Sequence, residues 1–187
     1  KVLSAEEEAT YVYRGVINTM DVPKGLIVEI GGGSTKIIYY NRRNLLNYET
    51  LPFGAVTLTD LFGSDGLTQE EQSEKIEEFI VEQLSKIEWL KEIDPETQLI
   101  GCGGSFRNLC KIVKMKKRCP LPLIHNYNVN TEEFLSVYDM LKSLDLDKKK
   151  RIKGISSSRA DLLPSAFAVV HAFTKHLHFD NIVISAC

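Results

Sequence analysis

Apolar residues recur along this chain with two periods, and the switches between them mark its elements. Ala9, Val12, Tyr13, Val16 and Ile17 repeat at helical intervals behind Ser4 and Glu7, whose S-x-x-E spacing is that of a capping box, so a helix is predicted over about 5–20. Asp21-Val22-Pro23-Lys24-Gly25 breaks it. Leu26-Ile27-Val28 then leads into a glycine bend, and Lys36-Ile37-Ile38-Tyr39-Tyr40 is β-branched and aromatic. A third strand-like segment follows a turn near 41–44. Strands at 26–30, 35–41 and 45–51 make a three-stranded antiparallel meander.

Beyond Pro52-Phe53-Gly54, a short apolar segment carries Val56, Leu58, Leu61 and Phe62. Thr68 and Glu71 then repeat the capping-box spacing and open a helix to about residue 91, with Ile76, Phe79, Ile80, Leu84, Ile87 and Leu90 on one face. A strand at 98–101 enters a second glycine turn, Gly101-Cys102-Gly103-Gly104. Ser105 is placed to cap the next helix, whose core face is Phe106, Leu109, Cys110 and Val113. A helix at 131–144 starts from Asn130, another occupies 159–177 with a break or kink at Pro164, and 181–185 reads as a final strand. The order, with no internal repeat and no low-complexity linker, predicts an α/β fold: a mixed sheet containing the meander and flanked by helices.

At 187 residues and 43% hydrophobic content, the chain is long enough to bury roughly two-thirds of its unfolded surface as one domain. Its net charge of −2 argues against a general nucleic-acid binder. Cys102, Cys110, Cys119 and Cys187 show no C-x-x-C or metal-ligand spacing, so reduced thiols are expected. No apolar run approaches the ~20 residues that span a bilayer, and the N-terminus has no signal-peptide pattern. The expectation is a cytoplasmic protein with neither membrane nor nucleic acid as partner. Starting at Lys1 and stopping inside a strand-like run, the chain is read as a piece of a longer protein.

The chemistry is concentrated in Glu29-Ile30-Gly31-Gly32-Gly33-Ser34-Thr35, where an apolar strand delivers one carboxylate into three glycines and two hydroxyls. Without Cβ atoms, backbone N–H groups can turn toward a ligand and form a concave anion site. The loop has neither the Gly-Lys-Ser/Thr ending of a Walker loop nor the G-x-G-x-x-G of a dinucleotide fold, and a hairpin turn with no ligand is the competing reading. Glu29, ending an apolar strand, is costly to bury unless paired or bound to metal. The basic runs 114–118 and 148–153 read either as holders of a long polyanion or as solvated surface.

Four segments together resemble the exopolyphosphatase and guanosine pentaphosphate phosphohydrolase family of the actin-like ATPase superfamily. They are Leu3-Ser4-Ala5-Glu6-Glu7-Glu8-Ala9, Val28-Glu29-Ile30-Gly31-Gly32-Gly33-Ser34-Thr35, Gly101-Cys102-Gly103-Gly104-Ser105-Phe106-Arg107-Asn108-Leu109 and Arg159-Ala160-Asp161-Leu162-Leu163-Pro164. The resemblance implies a ribonuclease-H-like lobe, the second of the family's catalytic module, over 1–187, with the first lobe as a missing partner and a homodimer left open. It implies hydrolysis of the terminal phosphoryl group of polyphosphate or a phosphorylated guanine nucleotide, with Mg²⁺. A degenerate sensor of the same ligands, or an ATPase or kinase of the superfamily, is the alternative.

By the same resemblance Glu8 is the catalytic base and Glu29 the metal ligand, standing where aspartate is usual. Gly31, Gly32, Gly33, Ser34 and Thr35, then Gly103, Gly104 and Ser105, bind phosphate. Arg159 and Asp161 form a structural ion pair. Lys36 departs from the pattern, because that position is usually glutamate. An ammonium there repels a divalent cation and attracts a phosphate oxygen, or else pairs with Glu29.

Overall fold

The first helix begins where Ser4 and Glu7 close a reciprocal cap. In the computed structural model, which describes residues 4–63 and 66–186, the Glu7 amide donates to Ser4 Oγ at 3.1 Å and the Ser4 amide to Glu7 Oε2 at 2.9 Å. Two N–H groups that helix geometry leaves without partners are thereby satisfied, and α1 (Ala5–Thr19) follows. The meander is β1 (Lys24–Ile30), β2 (Thr35–Asn41) and β3 (Asn44–Leu51). The apolar segment after Gly54 is a helix, α2 (Ala55–Phe62).

α3 (Gln69–Ser85) ends six residues before the predicted limit. Ile87 adopts an extended conformation and a 3-10 turn over Glu88–Glu92 buries Leu90, so the apolar spacing persists although the α-helix has stopped. Spacing of three residues fits the tighter helix as well as the α-helix. Then come β4 (Gln98–Cys102), α4 (Gly104–Lys116), β5 (Tyr127–Asn130), α5 (Thr131–Ser143) and the short α6 (Leu146–Lys150). β5, Tyr-Asn-Val-Asn, carries too little apolar alternation to be seen in the sequence. Pro164 does not kink a long helix: a 3-10 turn at Ser157–Arg159 precedes α7 (Leu163–His176), and the proline occupies its first turn, where a missing N–H costs nothing. β6 (Asn181–Ile184) completes the set.

The six strands form one mixed sheet in the order β3-β2-β1-β4-β6-β5. β1, β2 and β3 pair antiparallel, β4 lies parallel to β1 and to β6, and β5 is antiparallel to β6. Strand alternation divides the core. Leu26, Val28, Ile30, Ile37 and Tyr39 face the large cluster beneath the helices that follow the meander, whereas Ile27, Ile38, Tyr40 and Cys102 face α1 through Ala9, Tyr13 and Val16. The parallel strands β1 and β4 both run into glycine turns at their carboxyl ends, the end at which open α/β sheets bind ligands.

Candidate active site

Only one amide of the first glycine turn is consumed by hairpin closure: the Gly31 N–H donates to the Ser34 carbonyl at 2.9 Å. The turn's carbonyls are held from elsewhere. Ala55 donates to Gly31 O and Val56 to Gly32 O, both at 2.9 Å, with Thr57 to Gly32 O at 3.3 Å, so the first N–H groups of α2 clasp the loop. Among the described residues the N–H groups of Gly32, Gly33 and Ser34 meet no acceptor, and Gly32 and Gly33 are exposed. A bend with its carbonyls engaged and its amides free is an anion nest. The clasp requires Gly54, since a Cβ there would lie 2.5 Å from Gly31 O and 2.8 Å from the Gly32 carbonyl carbon.

Strand parity brings the charged residues together. Glu29 has the parity of Ile27 and Lys36 that of Ile38, so both face α1, and the β1–β2 register sets them directly opposite one another. Glu8, in the first turn of α1, completes the cluster. Lys36 Nζ lies 3.0 Å from Glu8 Oε2 and 3.1 Å from Glu29 Oε2. The Lys36 side chain is 10% exposed, against 27% for Glu29 and 45% for Glu8, so the ammonium sits beneath two carboxylates that water still reaches. Burial opposes the charged form, but the hydrogen bonds to Glu8 and Glu29 outweigh it and hold the Lys36 pKa above its ordinary value.

Thr35 has the opposite parity. Its side chain is buried on the far face of the sheet and its hydroxyl donates to the Phe53 carbonyl at 2.9 Å, so the expected phosphate contact of that hydroxyl is replaced by a core hydrogen bond.

The second turn packs against the first. Gly103, at φ +92°, is the N-cap of α4, and a Cβ on it would lie 3.6 Å from Glu29 Cγ and from Ile30 O. Ser105 is not the cap. It is buried inside the first helical turn, and no side chain caps the helix, which leaves its leading amides for an anion. Beside Gly104 opens a cleft of about 410 Å³ lined by Arg107, Asn108, Lys111, Gly154 and Arg159. The Arg159 guanidinium lies so close that a Cβ on Gly104 would come within 2.5 Å of it. Arg107 reaches the Ala186 carbonyl at 3.3 Å.

Several expectations change. Among the described residues Arg159 and Asp161 form no ion pair; Arg159 belongs to the cleft and Asp161 is exposed. Four lysines of the basic runs serve the fold. Lys114 is buried and donates to the Leu123 carbonyl, Lys117 pairs with Glu133, Lys116 donates to Ser136, and buried Lys149 donates to Gln69. The cationic groups at the second glycine turn are instead Arg107, Lys111 and Arg159. Arg107 and Lys111 stand four residues apart behind the second glycine turn, the spacing that puts two side chains on one helix face. Cys110 and Cys119 are free thiols, and burial pushes Cys110 up to about 11. Cys187, Lys1, Val2 and Leu3 lie outside the described residues. No helix among the described residues is long and apolar enough to cross a membrane.

The Mg²⁺ expectation meets a poor donor set. Glu8 and Glu29 already share an ammonium, and among the described residues no group of three or more His, Cys, Asp or Glu side chains is arranged to hold a metal. Mg²⁺ is held by one or two carboxylates together with water and phosphate oxygens, but here the two carboxylates close on a fixed positive charge. These residues do not fit the ion.

A profile of the Ppx/GppA phosphatase family matches residues 1–187. The guanosine-5'-triphosphate,3'-diphosphate pyrophosphatase of Photobacterium profundum is 27% identical over 192 residues, covering 98% of this chain and 36% of the relative. The bifunctional 3-dehydroquinate synthase/phosphatase of Fusobacterium nucleatum is 24% identical over 192 residues, covering 98% of this chain and 28% of its own. The crystal structure of an exopolyphosphatase from Cytophaga hutchinsonii superposes with a TM-score of 0.85 at 25% identity, over 95% of this chain and 58% of that one. The shared architecture is the actin-like ATPase fold, and the chain spans about a third of the length of these two curated relatives.

Proposed function

Since the chain belongs to the Ppx/GppA phosphatase family, we propose that it is the second lobe of a phosphoanhydride hydrolase, removing the terminal phosphoryl group of inorganic polyphosphate or of guanosine pentaphosphate. The observation that carries this is the convergence of Glu8, Lys36 and Glu29 beside a glycine turn whose amides at Gly32, Gly33 and Ser34 are free.

Phosphoryl transfer demands little covalent chemistry from a protein. It needs donors around the phosphoryl oxygens, positive charge, and a group that orients the attacking water. The free amides cradle the terminal phosphoryl oxygens, and Lys36 brings the charge. Glu8 is held at one oxygen by Lys36 and is open to water at the other, so it orients the nucleophile and accepts its proton. The water oxygen bonds to phosphorus as the bridging P–O bond breaks, and the shortened chain leaves with the electron pair. Glu29 holds Lys36 in place from across the ladder. The leaving chain passes Gly103 and Gly104 toward Arg107, Lys111 and Arg159.

The test is phosphate release by the full-length protein from each substrate. Glu8→Gln is expected to lower turnover by about 10²- to 10⁴-fold while the protein stays folded. A folded full-length protein that releases phosphate from neither substrate overturns the hydrolase reading. The Lys36–Glu8 pair at 3.0 Å favours one second reading, a sensor whose base is tied up. Calorimetry showing tight binding without turnover selects it.

A further inference from the structure

We propose that the Lys36 ammonium stands in for the divalent cation of this site, so that the chain binds the phosphates of its ligand without metal. The proposal rests on the phosphate-site reading above and goes beyond it. Its basis is position: Lys36 Nζ lies between Glu8 Oε2 at 3.0 Å and Glu29 Oε2 at 3.1 Å, the place where two carboxylates would otherwise converge on a cation.

The ammonium cannot readily leave. Lys36 lies opposite Glu29 in an antiparallel ladder between two strands that are buried on both faces, so its Cβ is fixed by the register. Its side chain is 10% exposed, and both its nearest partners are anionic. An ammonium has three donors. Two are committed to Glu8 and Glu29, and among the described residues the third has no acceptor, which leaves it for a phosphoryl oxygen.

The placement of the charges decides more than their sum. Two carboxylates and one ammonium sum to −1, and a divalent ion placed there would gain from two anions while facing a fixed positive charge within contact distance. A phosphate oxygen placed there gains a charge-assisted hydrogen bond and the amides of the first turn. At the ammonium itself a metal meets like charge and a phosphate oxygen meets a donor, and the amides of the first turn offset the repulsion that the two carboxylates exert on the anion.

The experiment uses the full-length protein and inorganic tripolyphosphate, with binding followed by calorimetry in EDTA and again in excess Mg²⁺, and Mn²⁺ alone titrated in parallel by its free electron-spin signal. Expected are equal affinities with and without metal within about threefold, no stoichiometric Mn²⁺ site in the wild type, and a loss of about ten- to a hundredfold in affinity in EDTA for Lys36→Met, the size of one hydrogen bond to a charged group. Lys36→Arg, which keeps the charge, retains metal-free binding, and the wild-type titrations stand even where Lys36→Met fails to fold. Tripolyphosphate binding that vanishes in EDTA and returns with Mg²⁺, or a stoichiometric Mn²⁺ site in the wild type, overturns the proposal and leaves the hydrolase reading intact. No binding in either condition overturns the proposal and, with it, polyphosphate as the substrate.

Discussion

Lys36 is the residue on which the site turns, because one ammonium pairs with two carboxylates. Its folded-state pKa is raised, so its pairing contributes stability in full below the unfolded lysine value of 10.5 and loses it as pH climbs through the higher folded value. Denaturation of wild type and Lys36→Met, compared from pH 7 to above 11, is expected to show a constant difference up to about pH 10 and a wild-type stability that falls away from the variant's beyond it. Lys24, also raised by its pairs with Asp94 and Glu96, titrates in both proteins and cancels in the difference. A difference that stayed constant through pH 11 would show that the ammonium is not held by Glu8 and Glu29.

Among the elements, the clasp between α2 and the glycine turn is the one that links packing to function. The helix supplies N–H groups to Gly31 and Gly32, and Gly54 allows the two backbones to touch. Gly54→Ala would drive a methyl group against backbone that cannot rotate aside, at a cost of about 1–3 kcal/mol for overpacking. Gly25→Ala makes a comparable clash, but with the buried Tyr40 ring, away from the turn. Both variants are expected to melt at lower temperature, while only Gly54→Ala weakens phosphate binding. Equal affinity in the two would dissociate the clasp from the site.

For the molecule as a whole, charge is arranged locally and not in bulk. A net charge of −2 conceals three cations, Arg107, Lys111 and Arg159, gathered at the second glycine turn from two distant stretches of chain. An exposed pair of this kind contributes modestly and is screened by salt. Arg159→Ala in the full-length protein is therefore expected to weaken tripolyphosphate binding by about two- to fivefold at low ionic strength, with binding of single inorganic phosphate unchanged. Calorimetry at two salt concentrations measures both. Identical losses for the two ligands would show that the cleft does not follow the chain beyond its terminal phosphate.

Local pattern was enough to predict what local interactions control. The capping boxes at Ser4, Thr68 and Asn130 start helices because each is complete within four residues. The meander follows from β-branched runs separated by turns, and the glycines that shape both turns are visible as residues without Cβ. Three features depended on distant partners and were decided by tertiary structure. Strand register and parity put Lys36 beside Glu29 under Glu8 while sending Thr35 to the opposite face. The short β5 exists because β6 offers it a ladder. Arg159 reaches Gly104 across more than fifty residues and leaves Asp161 without an ion pair among the described residues. The chain's periodicity specifies which residues share a face, but only the packed sheet and helices specify which faces meet, since that choice is settled by burial and hydrogen bonding summed over the whole core.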